Sequence, residues 1–231
     1  LRDASCVTHG ENTGALDGVM DETDAAMTAG SDPGGRPRDP GGAAELADAA
    51  RSGDRRAFER LVVMYQEGIY RMAYARLQNV SDAQDVVQEV FLNAYRTIGT
   101  LRDPALIRAW LYRIALNRVR DVVRRRKVLG FFGLGAQTEP EDHPHPGPDS
   151  FDRMASRAFW ERLNAFLEAL PAREREVFRL RFVDELSIPE ICSVLGKNES
   201  TVKTHLYRAV EKFRRTSFAS GTGGDPSRGE S

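Results

Sequence analysis

Ser200, Lys203, Thr204, Tyr207 and Arg208 fall on one side of a helical repeat whose other side is Val202, Leu206, Ala209, Val210 and Phe213. A DNA major groove admits a single helix, and Lys203 near its start can reach guanine O6 and N7 while Thr204 and Tyr207 offer hydroxyl and apolar contacts. Arg208, Lys212, Arg214 and Arg215 suit phosphates. The plainer alternative is the solvated face of a three-helix unit.

A second constellation lies upstream. Arg113, Asn117, Arg120 and Arg124 recur at intervals of four, three and four residues and so share one helical face. Basic side chains with one amide, beside the loop Thr100-Leu101-Arg102-Asp103, suit a single strand whose backbone is neutralised and whose extruded bases are hydrogen-bonded. Nearby Trp110, Leu111 and Ile114 read as core, and a solvated arginine face is the alternative. Asp82, Asp85 and Glu89, with Gln88 beside them, form an acidic face. No histidine joins these carboxylates, and acids in a first helical turn are already favoured by the helix dipole, so no metal site is expected. A docking face for a protein is the functional alternative.

These residues need helices to position them. The pattern predicts a short helix ending at Arg51, a break at Ser52-Gly53, and a long helix from about Asp54 to Leu77. Ser81 and Gln84 stand at capping-box spacing ahead of the stripe Val87, Phe91, Ala94 and Ile98, with Gly99 as the stop. Asp103-Pro104 supplies a cap and a first-turn proline for a helix to about Lys127. Further helices are expected at about Ser156–Ala169, Ala172–Val183, Ile188–Leu195 and Glu199–Arg215. Ser187 with Glu190 makes a capping box, Gly196 a tight turn and Asn198 a cap, which is helix-turn-helix spacing. No strand-like alternation of useful length appears. The expected fold is all-α: two small helical domains, 43–128 and 151–218, the second a helix-turn-helix. Residues 1–42 and 219–231 read as disordered ends, and 129–150 as a flexible acidic linker.

Charge supports that division. The 231 residues carry a formal net charge of -1, unpromising for a nucleic-acid binder. Residues 44–128, however, hold 16 basic and 10 acidic side chains and 151–218 hold 13 and 10, whereas 129–150 hold none and 4. Local charge sets phosphate affinity, so the two domains remain candidates. No apolar run is long enough to cross a bilayer and no signal-peptide pattern opens the chain, which points to a cytoplasmic protein without membrane insertion. Cys6 and Cys192 suggest neither a disulfide nor a metal cluster. His9, His143 and His145 fall in stretches expected to be disordered and His205 lies on the reading helix, so no catalytic constellation and no cofactor are expected.

The segments Leu61-Val62-Val63-Met64-Tyr65-Gln66, Asp82 through Phe91 and Ala109 through Asn117 resemble region 2 of extracytoplasmic-function (ECF) sigma factors of bacterial RNA polymerase. Leu170 through Phe178, followed by the reading helix, resembles region 4. The resemblance implies a transcription initiation factor that is not an enzyme. Asp82, Asp85, Gln88 and Glu89 would dock on the beta-prime clamp helices of core RNA polymerase, with the beta subunit as a further contact. Leu101, Arg102, Arg113, Asn117, Arg120 and Arg124 would handle the melted minus-10 element of promoter DNA. Leu101 stands where many relatives carry an aromatic residue. Ser200, Lys203, Thr204, Tyr207 and Arg208 would contact the minus-35 duplex, and an anti-sigma factor would restrain the protein. A LuxR-type regulator shares the Arg173-Glu174-Arg175-Glu176-Val177 and Thr201-Val202-Lys203-Thr204-His205 pattern, but the all-helical expectation upstream is unlike that family's receiver or sensor domain.

Overall fold

The computed structural model describes residues 42–131 and 161–221, of which 129–131 and 217–221 are described by backbone alone. The expectations for 1–41, 132–160 and 222–231 lie outside the described residues. Every regular element among the described residues is helical.

Four helices build the first unit: α1 (Ala43–Arg51), α2 (Arg55–Leu77), α3 (Val80–Thr97) and α4 (Ile107–Phe131). Asp54 caps α2 by accepting hydrogen bonds from the backbone N–H groups of Arg56 and Ala57. The α3 start differs from the sequence expectation. Asn79, not Ser81, is the cap, its side chain accepting from Asp82 N at 2.8 Å, because the helix begins one residue before Ser81. A 3-10 turn, Ile98–Thr100, finishes α3, and a second, Pro104–Leu106 capped by Asp103, leads into α4. Because α4 runs to Phe131, residues 129–131 belong to a helix and not to a linker.

Residues 161–169, here α5, open the described part of the second unit. The expected single helix to Val183 is α6 (Ala172–Phe178) continued by a π-helical turn, Arg179–Val183. The helix-turn-helix follows as α7 (Ile188–Leu195) and α8 (Glu199–Gly221). Its turn is made as the sequence suggested: Ser187 and Glu190 form the capping box, Gly196 takes the left-handed conformation at φ 62°, and Asn198 Oδ1 accepts from Thr201 N. Only glycine adopts that conformation without a side-chain penalty.

In the first unit, Leu61, Ile69 and Met72 of α2 meet Val86 and Val90 of α3 and Leu111 and Leu116 of α4 in a core from which water is excluded. Burying each such side chain contributes about 1.5–3 kcal/mol. One close approach holds α2 and α4 together. A Cβ at Gly68 would lie 2.7 Å from Tyr112 Oη, so glycine in mid-helix gives the tyrosine its seat. Gly68→Ala should therefore destabilise the fold by about 1–3 kcal/mol, as overpacking does, although alanine is the better helix former. Urea unfolding tests this, and Tyr112→Phe in the same chain should recover part of the loss by removing the clashing oxygen.

The second unit is centred on Phe178, which has no exposed surface. Its ring lies 5.5 Å from Phe166 of α5, 4.6 Å from Phe182 and 5.8 Å from Phe213 of α8. The two units also touch, α4 lying against α7.

Candidate nucleic-acid interface

The first turns of α8 place the reading residues as the helical repeat requires. Val202, Leu206, Ala209 and Val210 are buried, while Ser200, Thr204, Tyr207 and Arg208 are exposed. Lys203 is partly covered and its ammonium lies 2.7 Å from Glu199 Oε1, one turn earlier. Thr204 Oγ1 donates to Ser200 O at 2.8 Å, which leaves its lone pairs facing outward to accept. Of the four side chains suited to phosphates, Arg208 has no ion pair among the described residues, whereas Lys212 pairs with Glu174 and Arg215 with Glu211.

Lys203→Ala should cost about 1–3 kcal/mol and relax preference at one base pair if the ammonium exchanges Glu199 for a base edge. Binding to a panel of duplexes that differ by single base pairs is the measurement. Equal weakening across the panel would place Lys203 on a phosphate instead.

On α4, Arg113, Asn117, Arg120 and Arg124 are all exposed along one face. The side chains of Arg113 and Asn117 make no hydrogen bond or ion pair among the described residues. Arg124 reaches Asp121 at 3.0 Å, and Arg120 lies 3.8 Å from Glu176 of the second unit. The loop expectation changes in one respect. Leu101 is 4% exposed and belongs to the core with Ile98 and Ile107, so its side chain does not lie on the loop surface. The exposed side chain there is Arg102. Burial of Leu101 follows from tertiary packing, which a four-residue loop does not reveal.

The acidic face of α3 is less open than its spacing suggests. Asp82 pairs with Arg126 and Glu89 with Arg118, both arginines projecting from α4. Asp85 and Gln88 are exposed, and Asp85 has no ion pair among the described residues. Beside them runs a groove of about 850 Å³ between α2 and α3, lined by Phe58, Val62, Gln88, Leu92 and Tyr95 among others. Among the described residues, no group of three His, Cys, Asp or Glu could hold a metal ion. No helix there is long and apolar enough to cross a membrane. Burial pushes the Cys192 thiol up from its ordinary pKa.

Sequence reasoning missed Arg76, Arg108, Arg118 and Arg126. Each is one arginine among many in a basic helix, and their carboxylate partners lie far away along the chain.

A helix-turn-helix with an exposed basic face, joined to a second helical unit with an exposed arginine and amide stripe, is the architecture of a DNA-binding protein. Residues 61–128 match the family described as Sigma-70 region 2, and residues 160–213 match Sigma-70, region 4. ECF RNA polymerase sigma factor SigW of Bacillus subtilis is 33% identical over 173 residues, 71% of this chain and 91% of SigW. RNA polymerase sigma factor CnrH of Cupriavidus metallidurans is 33% identical over 174 residues, 73% of this chain and 90% of CnrH. The solved structure of CnrH in complex with the cytosolic domain of CnrY superposes with a TM-score of 0.57 at 29% identity, covering 77% of this chain and 97% of that one. The chain belongs to the sigma-70 family, in the group of ECF RNA polymerase sigma factors.

Proposed function

We propose that this protein joins core RNA polymerase as an ECF sigma factor, directs it to promoters and helps open them in transcription initiation. One observation carries this reading above the others: regions 2 and 4 occur in order in one chain, each with exposed basic and polar side chains along one helix. In this reading α8 reads the minus-35 duplex through Ser200, Lys203, Thr204, Tyr207 and Arg208. The α4 face, Arg113, Asn117, Arg120 and Arg124, together with Arg102, takes the melted minus-10 strand, and Leu101 anchors the loop from within. Asp85 and Gln88, flanked by Asp82 and Glu89, dock on the polymerase. The protein acts by binding while the polymerase does the chemistry, and it works where the DNA is, in the cytoplasm. The domains run over 43–128 and 151–218, with α4 extending the first to Phe131 and α8 the second to Gly221. An anti-sigma factor restrains the protein, as the family resemblance implies; its relative CnrH has been solved in complex with the cytosolic domain of CnrY.

Asn117 gives the sharpest test of strand capture. Its amide is exposed between Arg113 and Arg120 on the same face. Asn117→Ala should impair opening of a duplex promoter more than binding to a promoter already melted at the minus-10 element, because pre-melting removes the unstacking cost of a few kcal/mol. Holoenzyme binding to matched duplex and bubble templates compares the two. Equal loss on both would assign Asn117 a contact without a role in strand capture.

A further inference from the structure

Glu199 opens the helix that reads the groove, and it carries a charge that phosphates repel. It is the first residue of α8, its side chain is 59% exposed, and its Oε1 lies 2.7 Å from the Lys203 ammonium. It stands outside the set Ser200, Lys203, Thr204, Tyr207 and Arg208 that the family resemblance assigns to the minus-35 duplex. Two local causes favour it in the free helix. A carboxylate in a first turn is stabilised by the helix dipole, and a Glu–Lys pair at a spacing of four residues steadies an exposed helix slightly.

On a helix that enters a major groove, the same carboxylate meets a negative surface and needs a donor there to offset the repulsion. It then becomes a reading group. The polar side chains around it are less free to act as acceptors, since Asn198 Oδ1 already accepts from the Thr201 N–H and Thr204 Oγ1 is bound to Ser200 O. Residues 199–210 contain one carboxylate, and the next, Glu211, pairs with Arg215.

The two edges of a G·C pair match the two ends of the Glu199–Lys203 ion pair. In the major groove guanine presents the acceptors O6 and N7 and cytosine presents the N4 amino donor, and the hydrogen bond between O6 and N4 holds those atoms about 2.9 Å apart. An ammonium and a carboxylate 2.7 Å apart therefore span one base pair. When Lys203 exchanges Glu199 for guanine, Glu199 can exchange Lys203 for the free N4 proton, so neither charge is left without a partner. A T·A pair in the same orientation still offers thymine O4 to the ammonium, but it turns both N6 and N7 of adenine toward the carboxylate. N7 is an acceptor and repels Glu199. Glutamine would reverse this preference, because its amide accepts from N6 and donates to N7 together.

We propose that Glu199 is a specificity-determining residue of α8, which with Lys203 reads the two bases of a single G·C pair, Lys203 taking guanine and Glu199 cytosine. The proposal rests on the assignment of α8 to the minus-35 duplex.

The test uses the full chain in holoenzyme with core polymerase, offered duplexes randomised over the minus-35 element and sequenced before and after capture. The wild-type protein is compared with Glu199→Gln, Glu199→Ala and Lys203→Ala. The wild type should favour G·C over T·A at one position by about tenfold, within the range of a good base contact. Glu199→Gln should move that preference toward T·A, Glu199→Ala should abolish the discrimination, and Lys203→Ala should weaken the same position, with the other positions unchanged. A pair that only steadied the start of the helix would lower affinity for every sequence alike. Retention of the G·C preference in either Glu199 variant, a uniform loss across positions, or effects of Glu199 and Lys203 at different base pairs would overturn the proposal. The same library offered to each protein without core separates the two levels: failure of the wild type to bind core counts against the sigma-factor reading, while base selection by the free chain still decides Glu199. Absence of selection in both arms overturns the base readout.

Discussion

Asp85→Lys is expected to weaken binding to core RNA polymerase by about 3 kcal/mol, roughly a hundredfold in Kd, since like charges brought together across an interface cost several kcal/mol. The structure singles out this residue from the four on its face. Asp82 and Glu89 are already held by Arg126 and Arg118, so reversing either would also break a bridge between α3 and α4. Asp85 is exposed and has no ion pair among the described residues, so its reversal acts on the interface alone. The charge also sits on an outward position of α3, and helicity should not change. A fluorescence titration with core polymerase measures the effect. An unchanged Kd would remove Asp85 from the docking face and shift attention to Gln88 and the apolar groove beside it.

Phe178→Ala should destabilise the second unit by about 3–5 kcal/mol, the usual cost of removing a buried aromatic ring and leaving the space unfilled. Phe178 is the hub that joins α5, α6 and α8, with Phe166, Phe182 and Phe213 packed around it and no surface exposed. Its loss should appear in hydrogen exchange as lost protection in α8 while the amides of α2 keep theirs. A loss below about 1 kcal/mol would mean that the neighbouring rings collapse into the cavity.

The features legible in the sequence are those whose cause is local. The Asp103-Pro104 start, the Ser187 and Glu190 capping box and the Gly196 turn each depend on residues within one helical turn, and all three appear in the structure. The outward positions of α8 follow from a 3.6-residue repeat over a strongly apolar inner stripe, so their exposure is readable as well. At α3 two local signals competed. Asn79 and Ser81 are both good caps, and Asn79 acts because Val80 is drawn into the core as the first helical residue.

What could not be read depends on contacts between distant segments. Leu101 looks like a loop-surface residue, yet it is buried in the core to which Ile98 and Ile107 also belong. Arg118 with Glu89, and Arg126 with Asp82, connect positions 29 and 44 residues apart, while Arg76 and Asp184 are 108 residues apart. A basic helix offers many arginines, and nothing in its periodicity tells which will be buried against a carboxylate. The π-helical turn is hidden as well, since Ala172 to Val183 has an ordinary helical pattern in sequence.

As an ECF sigma factor, this chain supplies promoter recognition and opening to a polymerase that lacks both. Permanganate footprinting of a promoter selected by the reconstituted holoenzyme measures that opening directly, with core polymerase alone and the protein alone as the comparisons. Reactive thymines should be confined to the minus-10 region, appear only when both components are present, and be lost when the minus-35 element is scrambled. The same reactivity with core alone, or none with the two together, would contradict it.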